Sequence, residues 1–193
     1  DKPDFTWSTN VTIPAHKNKV ISIGDGQEFI TLDNPNGSSG PSIRIIPGYP
    51  APAYLGATYL GTYRTTAEID ADGVVGSVLG GPRYVDLDGN GAINQLDFIV
   101  HGDPNPDFYG GLRNTLTYKD FTLDFFFHGS YGNEILNAAY HLGYFGRDPR
   151  SNLLPIVKDR WTTSNQNSDI PRAGSSFGNY QQRSDVSYQD GSF

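Results

Sequence analysis

Residues 107–131 read DFYGGLRNTLTYKDFTLDFFFHGSY and carry the most regular pattern in the chain. Apolar and polar residues alternate on both sides of Lys119-Asp120, and a period of two is typical of β-strands. With Lys119 and Asp120 as the central turn residues, antiparallel strands near 107–118 and 121–131 face each other. Lys-Asp is not the favoured Asn-Gly dipeptide, so the type of turn stays open.

One face of the predicted hairpin is apolar, and it ends in aromatic residues on both sides. Tyr118 and Phe121 lie at one end, and Phe108 and Tyr131 lie at the other. At ~3.3 Å per residue and a tilt of ~40°, the distance between these pairs projects to roughly 25 Å, which is the height of the apolar band of an outer-membrane barrel. A soluble hairpin whose aromatic ends cover a core alternates in the same way, so the pattern alone leaves both possibilities open.

The large apolar side chains between those aromatic ends would face lipid in the barrel interpretation. They are Leu112, Leu116, Leu123, Phe125 and Phe127. The opposite face is mostly polar. Asn114 on the apolar face and Phe126 on the polar face are the main exceptions to the alternation.

Outside the hairpin, the sequence predicts one more long strand and one helix. Phe5–Pro14 has apolar side chains at most odd positions and polar side chains at even positions, which indicates a strand. Glu134–Tyr144 is the one plausible helix, a short one closed by nearby glycines. Residues 147–193 are rich in Asn, Ser and Pro and do not alternate, so we expect a long loop without a membrane strand before Asp190.

The composition narrows the class of protein. The 193 residues include 23 Gly and 13 Pro, and the aromatic share is 13%; this mix favours short strands and turn-rich loops over a helical bundle. A net charge of −7 argues against nucleic-acid binding. The chain has no cysteine, which excludes disulfide scaffolds, thiolate metal sites and cysteine nucleophiles. The four histidines are scattered and no acid–base pair is evident, so we expect a protein that is not an enzyme.

The sharpest chemical motif is the acidic segment Asp86–Asp97. It matches the twelve-residue calcium loop, which has oxygen ligands at positions 1, 3, 5, 9 and 12, a backbone carbonyl at 7 and Gly at 6. The predicted ligands are Asp86, Asp88, Asn90, the Ala92 carbonyl, Asn94 and Asp97. Position 12 is Asp rather than Glu, and Gly80-Gly81-Pro82 upstream disfavours an incoming helix, so we expect no paired EF-hand. An Asp/Asn/Gly turn without an ion stays open as the alternative.

Two of these segments together resemble the SusC/RagA family of TonB-dependent outer-membrane transporters. Residues 84–94 read YVDLDGNGAIN and residues 102–111 read GDPNPDFYGG. They are similar to the family's Asp-rich turn and to the Gly-x-Pro-x-Pro-x-Phe-x-Gly-Gly segment that opens a barrel strand. RWT at 160–162 and DIPR at 169–172 resemble a loop of the same family, and the matches follow in collinear order.

The resemblance implies an all-β fold. Residues 1–193 would be a fragment from the C-terminal half of a large transmembrane antiparallel β-barrel, with long extracellular loops and one short loop helix. It implies that Lys119-Asp120 is a periplasmic turn and that segments near 33–105 and 132–190 are extracellular. Strand parity then requires zero or two barrel strands between Pro14 and Asp107. The family's plug domain would lie outside this stretch.

The function implied by the resemblance is import of oligosaccharide or peptide nutrients across the outer membrane of a Gram-negative, Bacteroidetes-like cell. The implied partners are a SusD-like surface lipoprotein, the TonB complex reached through the plug domain, and outer-membrane lipid. Trp161, Tyr140 and Tyr144 are candidates for contact with substrate or lid, with loop packing as their favoured alternative role. A secreted, calcium-stabilised glycan-binding or adhesion module is the alternative function, since it would share the acidic, aromatic and cysteine-free composition.

Overall fold

The computed structural model describes residues 4–24, 26–33, 42–137, 152–174 and 187–193. Most of the regular structure in these ranges is β-sheet, as the sequence predicts. The strands are β1 (Phe5–Thr12), β2 (Ile30–Asp33), β3 (Ser42–Ile45), β4 (Ala53–Ala57), β5 (Tyr59–Thr62), β6 (Pro82–Tyr84), β7 (Phe98–Gly102), β8 (Phe108–Tyr118), β9 (Phe121–Tyr131), β10 (Glu134–Leu136) and β11 (Tyr188–Asp190). The helical elements are α1 (Thr66–Asp72) and two 3₁₀ turns, Gln95–Asp97 and Pro155–Asp159. Within the described ranges, no helix has the length and apolar character needed to cross a membrane.

The three long strands form one antiparallel sheet in the order β1-β8-β9. The hairpin has the predicted register, in which Tyr118 faces Phe121, and Lys119 in the turn adopts a left-handed conformation with φ of 53°. β1 pairs directly with β8 along its whole length. No strand of this sheet therefore lies between β1 and β8, so zero, rather than two, strands of the long sheet separate them.

Asn114, the polar exception on the apolar face, is only 6% exposed. Its Oδ1 accepts hydrogen bonds from Trp7 Nε1 at 3.0 Å and from Thr9 Oγ1 at 2.7 Å, both on the neighbouring strand. Thr9 faces Asn114 directly in the register of β1 and β8. The side-chain polar atoms of Trp7, Thr9 and Asn114 are thus paired with one another across the two strands.

The polar face of the same sheet carries a matched network of charge and hydroxyl groups. Arg113 Nε lies 3.0 Å from Asp124 Oδ2 across the hairpin. Thr115 Oγ1 donates to the same carboxylate at 2.7 Å. The charges on this face therefore neutralise each other within a single cross-strand pair.

The residues between β1 and β8 form an insertion with two small sheets. One has the order β2-β3-β4-β7, and the other pairs β5 with β6. The core of the insertion consists of Ala57, Tyr59, Val74, Tyr84 and Ile93, with Phe98 packed against it. Its strands are only three to five residues long, which explains why the alternation of the sequence does not reveal them.

Helix α1 lies in the insertion, where the sequence analysis expects no helix. A capping box begins it: Glu68 N donates to Thr65 Oγ1 at 3.2 Å, and Thr65 N donates to Glu68 Oε2 at 3.0 Å. Gly73 ends it with a left-handed φ of 65°. These local signals, Thr-x-x-Glu followed by Gly, are present in the sequence and define the one short α-helix of the described ranges.

The prediction of a helix over Glu134–Tyr144 is wrong for its first three residues. Glu134–Leu136 is strand β10, which pairs with β11 far along the chain. The helix propensity of this segment is overridden by that tertiary pairing. Residues 138–144 lie outside the described ranges.

The stretch 147–193 contains one strand in its described parts, β11, which has three residues. A membrane-spanning strand needs about 9–11 residues. Residues 147–151 and 175–186 lie outside the described ranges. At the end of the chain, Ser130 and Phe193 exchange two backbone hydrogen bonds of 3.0 Å, so Phe193 lies beside β9.

Candidate functional site

The acidic segment Asp86–Asp97 connects β6 to β7. The structure brings together its three carboxylates: one oxygen each of Asp86, Asp88 and Asp97 lie within 4.8 Å of one another. Carboxylates at this spacing repel one another unless hydrogen-bond donors or a cation balance their charge. The three carboxylates are therefore close enough to contact one cation together.

Asp86 is held by backbone N–H groups of the turn that follows it. Gly89 N donates to its Oδ1 and Gly91 N to its Oδ2, each at 2.8 Å. Both glycines have positive φ, 70° and 76°, which other residues adopt at a cost. Desolvation by itself would raise the pKa of Asp86, but these N–H donors outweigh it and its pKa is lowered from the ordinary value. The turn therefore stabilises the ionised form.

Asp97, the last residue of the motif, is fully buried. Leu87 N donates to its Oδ1 at 2.8 Å, and Asn94 N donates to its Oδ2 at 2.7 Å. Within the described ranges, none of the ion pairs includes Asp97. A buried carboxylate compensated by backbone dipoles alone is a favourable neighbour for a cation.

The remaining predicted ligands hydrogen-bond within the loop. Asn90 Oδ1 accepts from Ala92 N at 2.8 Å, and Asn90 Nδ2 donates to Asp88 Oδ2 at 2.7 Å. Asn94 Oδ1 accepts from Leu96 N at 2.8 Å, and Asn94 Nδ2 donates to the Ala92 carbonyl at 3.1 Å. The amide nitrogens thus point at two of the oxygens that the sequence analysis assigns to the metal.

The loop is also tied to the core of the insertion. Ile93, 7% exposed, belongs to that core. Val75 N donates to the Gly91 carbonyl at 2.8 Å, which joins the loop to the residues just after α1. The loop is therefore joined to the packed core both by a side chain and by a backbone hydrogen bond.

Trp161 packs against the insertion. It is 8% exposed, and its ring fills the space that a side chain at position 80 would need, since a Cβ built on Gly80 would lie 2.3 Å from Trp161 Cδ2. Arg172 N donates to the Gly80 carbonyl at 2.8 Å on the same side. These contacts support the packing role for Trp161, whereas Tyr140 and Tyr144 lie outside the described ranges.

A second group of candidate residues, on the polar face of the long sheet, is one that the sequence analysis does not identify. The rings of Phe126 and His128 stack nearly parallel, with centroids 5.8 Å apart and an angle of 12°. Phe193 meets His128 edge-on at 5.6 Å. The one available signal was Phe126, an aromatic residue at a position where the alternation calls for a polar one; the approach of Phe193 leaves no trace in the sequence.

Comparisons with known proteins give a consistent result. No protein-family model matches the chain. It is similar to TonB-dependent receptor P26 of Formosa agariphila, with 38% identity over 172 residues, and to TonB-dependent receptor P3 of the same organism, with 35% identity over 176 residues. These alignments cover 89% and 88% of this chain, and the chain spans 17% of the length of each relative.

Among solved structures, the chain is similar to the RagAB peptide transporter. The TM-score is 0.72 at 16% identity, and the match covers 99% of this chain and 19% of that chain. The likeness shows that the sheet β1-β8-β9 and its insertion have the fold of part of a transporter barrel, which these residues do not close. The relatives are receptors rather than enzymes, in agreement with the sequence analysis. The curated homologues of the chain are therefore TonB-dependent receptors, and its fold is that of a segment of a transporter β-barrel.

Proposed function

We propose that the intact protein is an outer-membrane receptor that imports oligosaccharide or peptide nutrients with energy delivered by TonB. The observation that carries this proposal is the 38% identity to a TonB-dependent receptor over 89% of the chain. The proposed partners are a SusD-like surface lipoprotein and the TonB complex, which acts through a plug domain outside these residues. The secreted-module alternative has no comparable support.

In this proposal the three long strands cross the membrane with their apolar face toward lipid. The large side chains on that face are exposed in the isolated segment, as expected for groups that lipid would cover; among them are Trp7, Val11, Leu123, Phe125 and Phe127. The opposite face, with the Arg113–Asp124 pair, would face the barrel interior. This division agrees with the apolar-out, polar-in alternation of membrane barrels.

Deletion of the gene in the native host tests the import function. We expect growth to fail on one class of oligosaccharide or peptide as sole carbon source and to return when the gene is restored. Growth on a monosaccharide serves as the control. Uptake that continues unchanged in a strain without TonB would contradict the proposal, and affinity purification of the restored receptor would show whether a surface lipoprotein accompanies it.

We also propose that Asp86–Asp97 binds Ca²⁺ as a structural ion of the insertion. The support is the match to the calcium-loop spacing together with the convergence of Asp86, Asp88 and Asp97. Ca²⁺ takes six to eight oxygen ligands, and rotation of the Asn90 and Asn94 amides would turn their oxygens toward the carboxylates. The ion would replace the amide N–H groups that now face those oxygens.

Calcium titration of the purified full-length receptor tests this site. We expect a dissociation constant on the order of 10⁻⁴–10⁻³ M, as in extracellular modules. The variant Asp86→Asn/Asp88→Asn should lose this binding. Asp70→Asn, which removes an exposed carboxylate of α1, is the control and should bind as the wild type does. Equal affinity in all three proteins would contradict the assignment.

A further inference from the structure

The insertion contains a buried arginine whose charge is not balanced by any ion pair of the described residues. Arg44, on β3, is only 5% exposed, and desolvation lowers its pKa from the ordinary value. The guanidinium of arginine nevertheless stays protonated in proteins. None of the ion pairs in the described ranges includes Arg44. A positive charge therefore lies beneath the surface without an anionic partner among these residues.

The contacts of Arg44 satisfy only part of its guanidinium group. Nη2 donates to Gln95 Oε1 at 3.1 Å, and Cζ lies 4.2 Å from the centroid of the Phe29 ring and 5.9 Å from that of the Phe98 ring. The faces of the two rings attract the cation, but Nε is buried without a hydrogen-bond partner. A buried donor of a charged group is costly when it lacks an acceptor, so an acceptor is needed here.

Ser42 adds a second unpartnered group to the same face of β3. Residues two apart in a strand lie on the same side of the sheet, and β3 buries Ser42 and Arg44 while Ile43 and Ile45 are only half-buried. The polar side chains thus occupy the positions that apolar ones usually take. Ser42 Oγ is buried and has no hydrogen-bond partner, and its hydroxyl can rotate to donate. Two such donors beside an unbalanced positive charge indicate an anion.

The surroundings of the guanidinium restrict the kind of anion. Phe29 is 40% exposed and Gln95 is exposed, so an ion reaches Arg44 from the surface by displacing these two side chains. Entry removes the hydration shell of the ion, which costs a doubly charged phosphate or sulfate more than a singly charged ion. A guanidinium is itself weakly hydrated and therefore pairs best with a small, weakly hydrated monovalent anion.

We infer that Arg44 and Ser42 form a binding site for a single halide ion, chloride under physiological conditions, beneath Phe29 and Gln95. Arg44 Nε and Ser42 Oγ donate hydrogen bonds to the ion, and the ion neutralises the buried charge. Because Arg44 is also bound to Gln95, which begins the 3₁₀ turn Gln95–Asp97, the ion stabilises the packing of β3 against this turn. The site is independent of the proposed import function.

Bromide, which scatters X-rays anomalously and substitutes for chloride, tests the inference in crystals of the purified full-length receptor. We expect an anomalous peak beside Arg44 Nε in the wild type, a weaker one in Ser42→Ala and none in Arg44→Met. Arg64→Met is the matched control and should keep the peak. Arg64 lies in the same insertion, but its side chain is 45% exposed and is paired with Asp169 at 2.8 Å.

Amide hydrogen exchange in solution gives a second measurement. Sodium chloride should slow exchange in β3 and β4 of the wild type relative to sodium gluconate at the same concentration, because gluconate is too large for the site. The difference should vanish in Arg44→Met. A wild-type crystal with only water at Arg44, or with a carboxylate from another part of the receptor bound to it, would overturn the inference even if Arg44→Met does not fold. So would a chloride effect on exchange that persists in Arg44→Met.

Discussion

At the scale of single residues, Asn114 is a polar group on the face that we propose contacts lipid, so its substitution tests that proposal. In Asn114→Leu, Trp7 Nε1 and Thr9 Oγ1 lose the acceptor that they now share. We expect the free energy of unfolding to fall by about 1–3 kcal/mol, because two donors would lack a partner where no water replaces it. Urea unfolding of the receptor in lipid vesicles measures this change.

A triple variant separates lost hydrogen bonds from lost packing. Adding Trp7→Phe and Thr9→Val to Asn114→Leu removes the donors as well as the acceptor, so most of the stability should return. A single variant as stable as the wild type, or a triple variant no more stable than the single one, would contradict this prediction. Either result would show that the hydrogen bonds to Asn114 do not contribute to stability. The sequence marks Asn114 as an exception to the alternation, but its partners on β1 become visible only in the register of the sheet.

At the scale of elements, the β8–β9 hairpin offers a test of which face of the sheet contacts lipid. Phe125→Arg places a charge near the middle of the apolar face, and we expect it to cost about 2–4 kcal/mol if that site lies near the bilayer midplane. Thr117→Arg, on the polar face, should be far milder. Folding into vesicles over a urea series compares the two variants, and equal tolerance on both faces would refute the assignment.

The same element shows why some of the fold can be predicted from the sequence. Its strands are neighbours in the chain, so alternation and turn position fix the register between Tyr118 and Phe121. The short strands of the insertion pair with partners that no local pattern reveals, and Glu134–Leu136 becomes a strand because β11 lies beside it. For the candidate site, spacing predicts the convergence of the carboxylates, whereas the complete burial of Asp97 depends on the packing of the insertion.

At the scale of the whole molecule, Trp161 packs the segment 152–174 against the insertion, and the hydroxyl groups of Tyr59 and Thr62 donate hydrogen bonds to backbone carbonyls of the same segment. Gly80→Ala should loosen this segment, because the new Cβ would overlap the indole ring. Gly48→Ala is the matched control: Gly48 also has positive φ, 91°, but nothing lies within 4 Å of its Cβ position. We expect trypsin to cleave at Lys158 and Arg160 faster in the first variant than in the second. Equal cleavage rates would mean that the Trp161 contact does not hold the segment.

At this scale too, we expect calcium to stabilise the insertion and to leave the stability of the long sheet unchanged. Gly91 and Ile93 tie the loop to Val75 and to the packed core, so without the ion the repulsion among the carboxylates should loosen β5, β6 and α1. The long sheet has its own hydrogen bonds and does not depend on the loop. We therefore expect chelation to speed amide hydrogen exchange in residues 59–97 while exchange in β8 and β9 is unchanged. Calcium should reverse the effect in the wild type but not in Asp86→Asn/Asp88→Asn. Exchange that rises equally in both regions, or in neither, would contradict a structural role for the ion in the insertion.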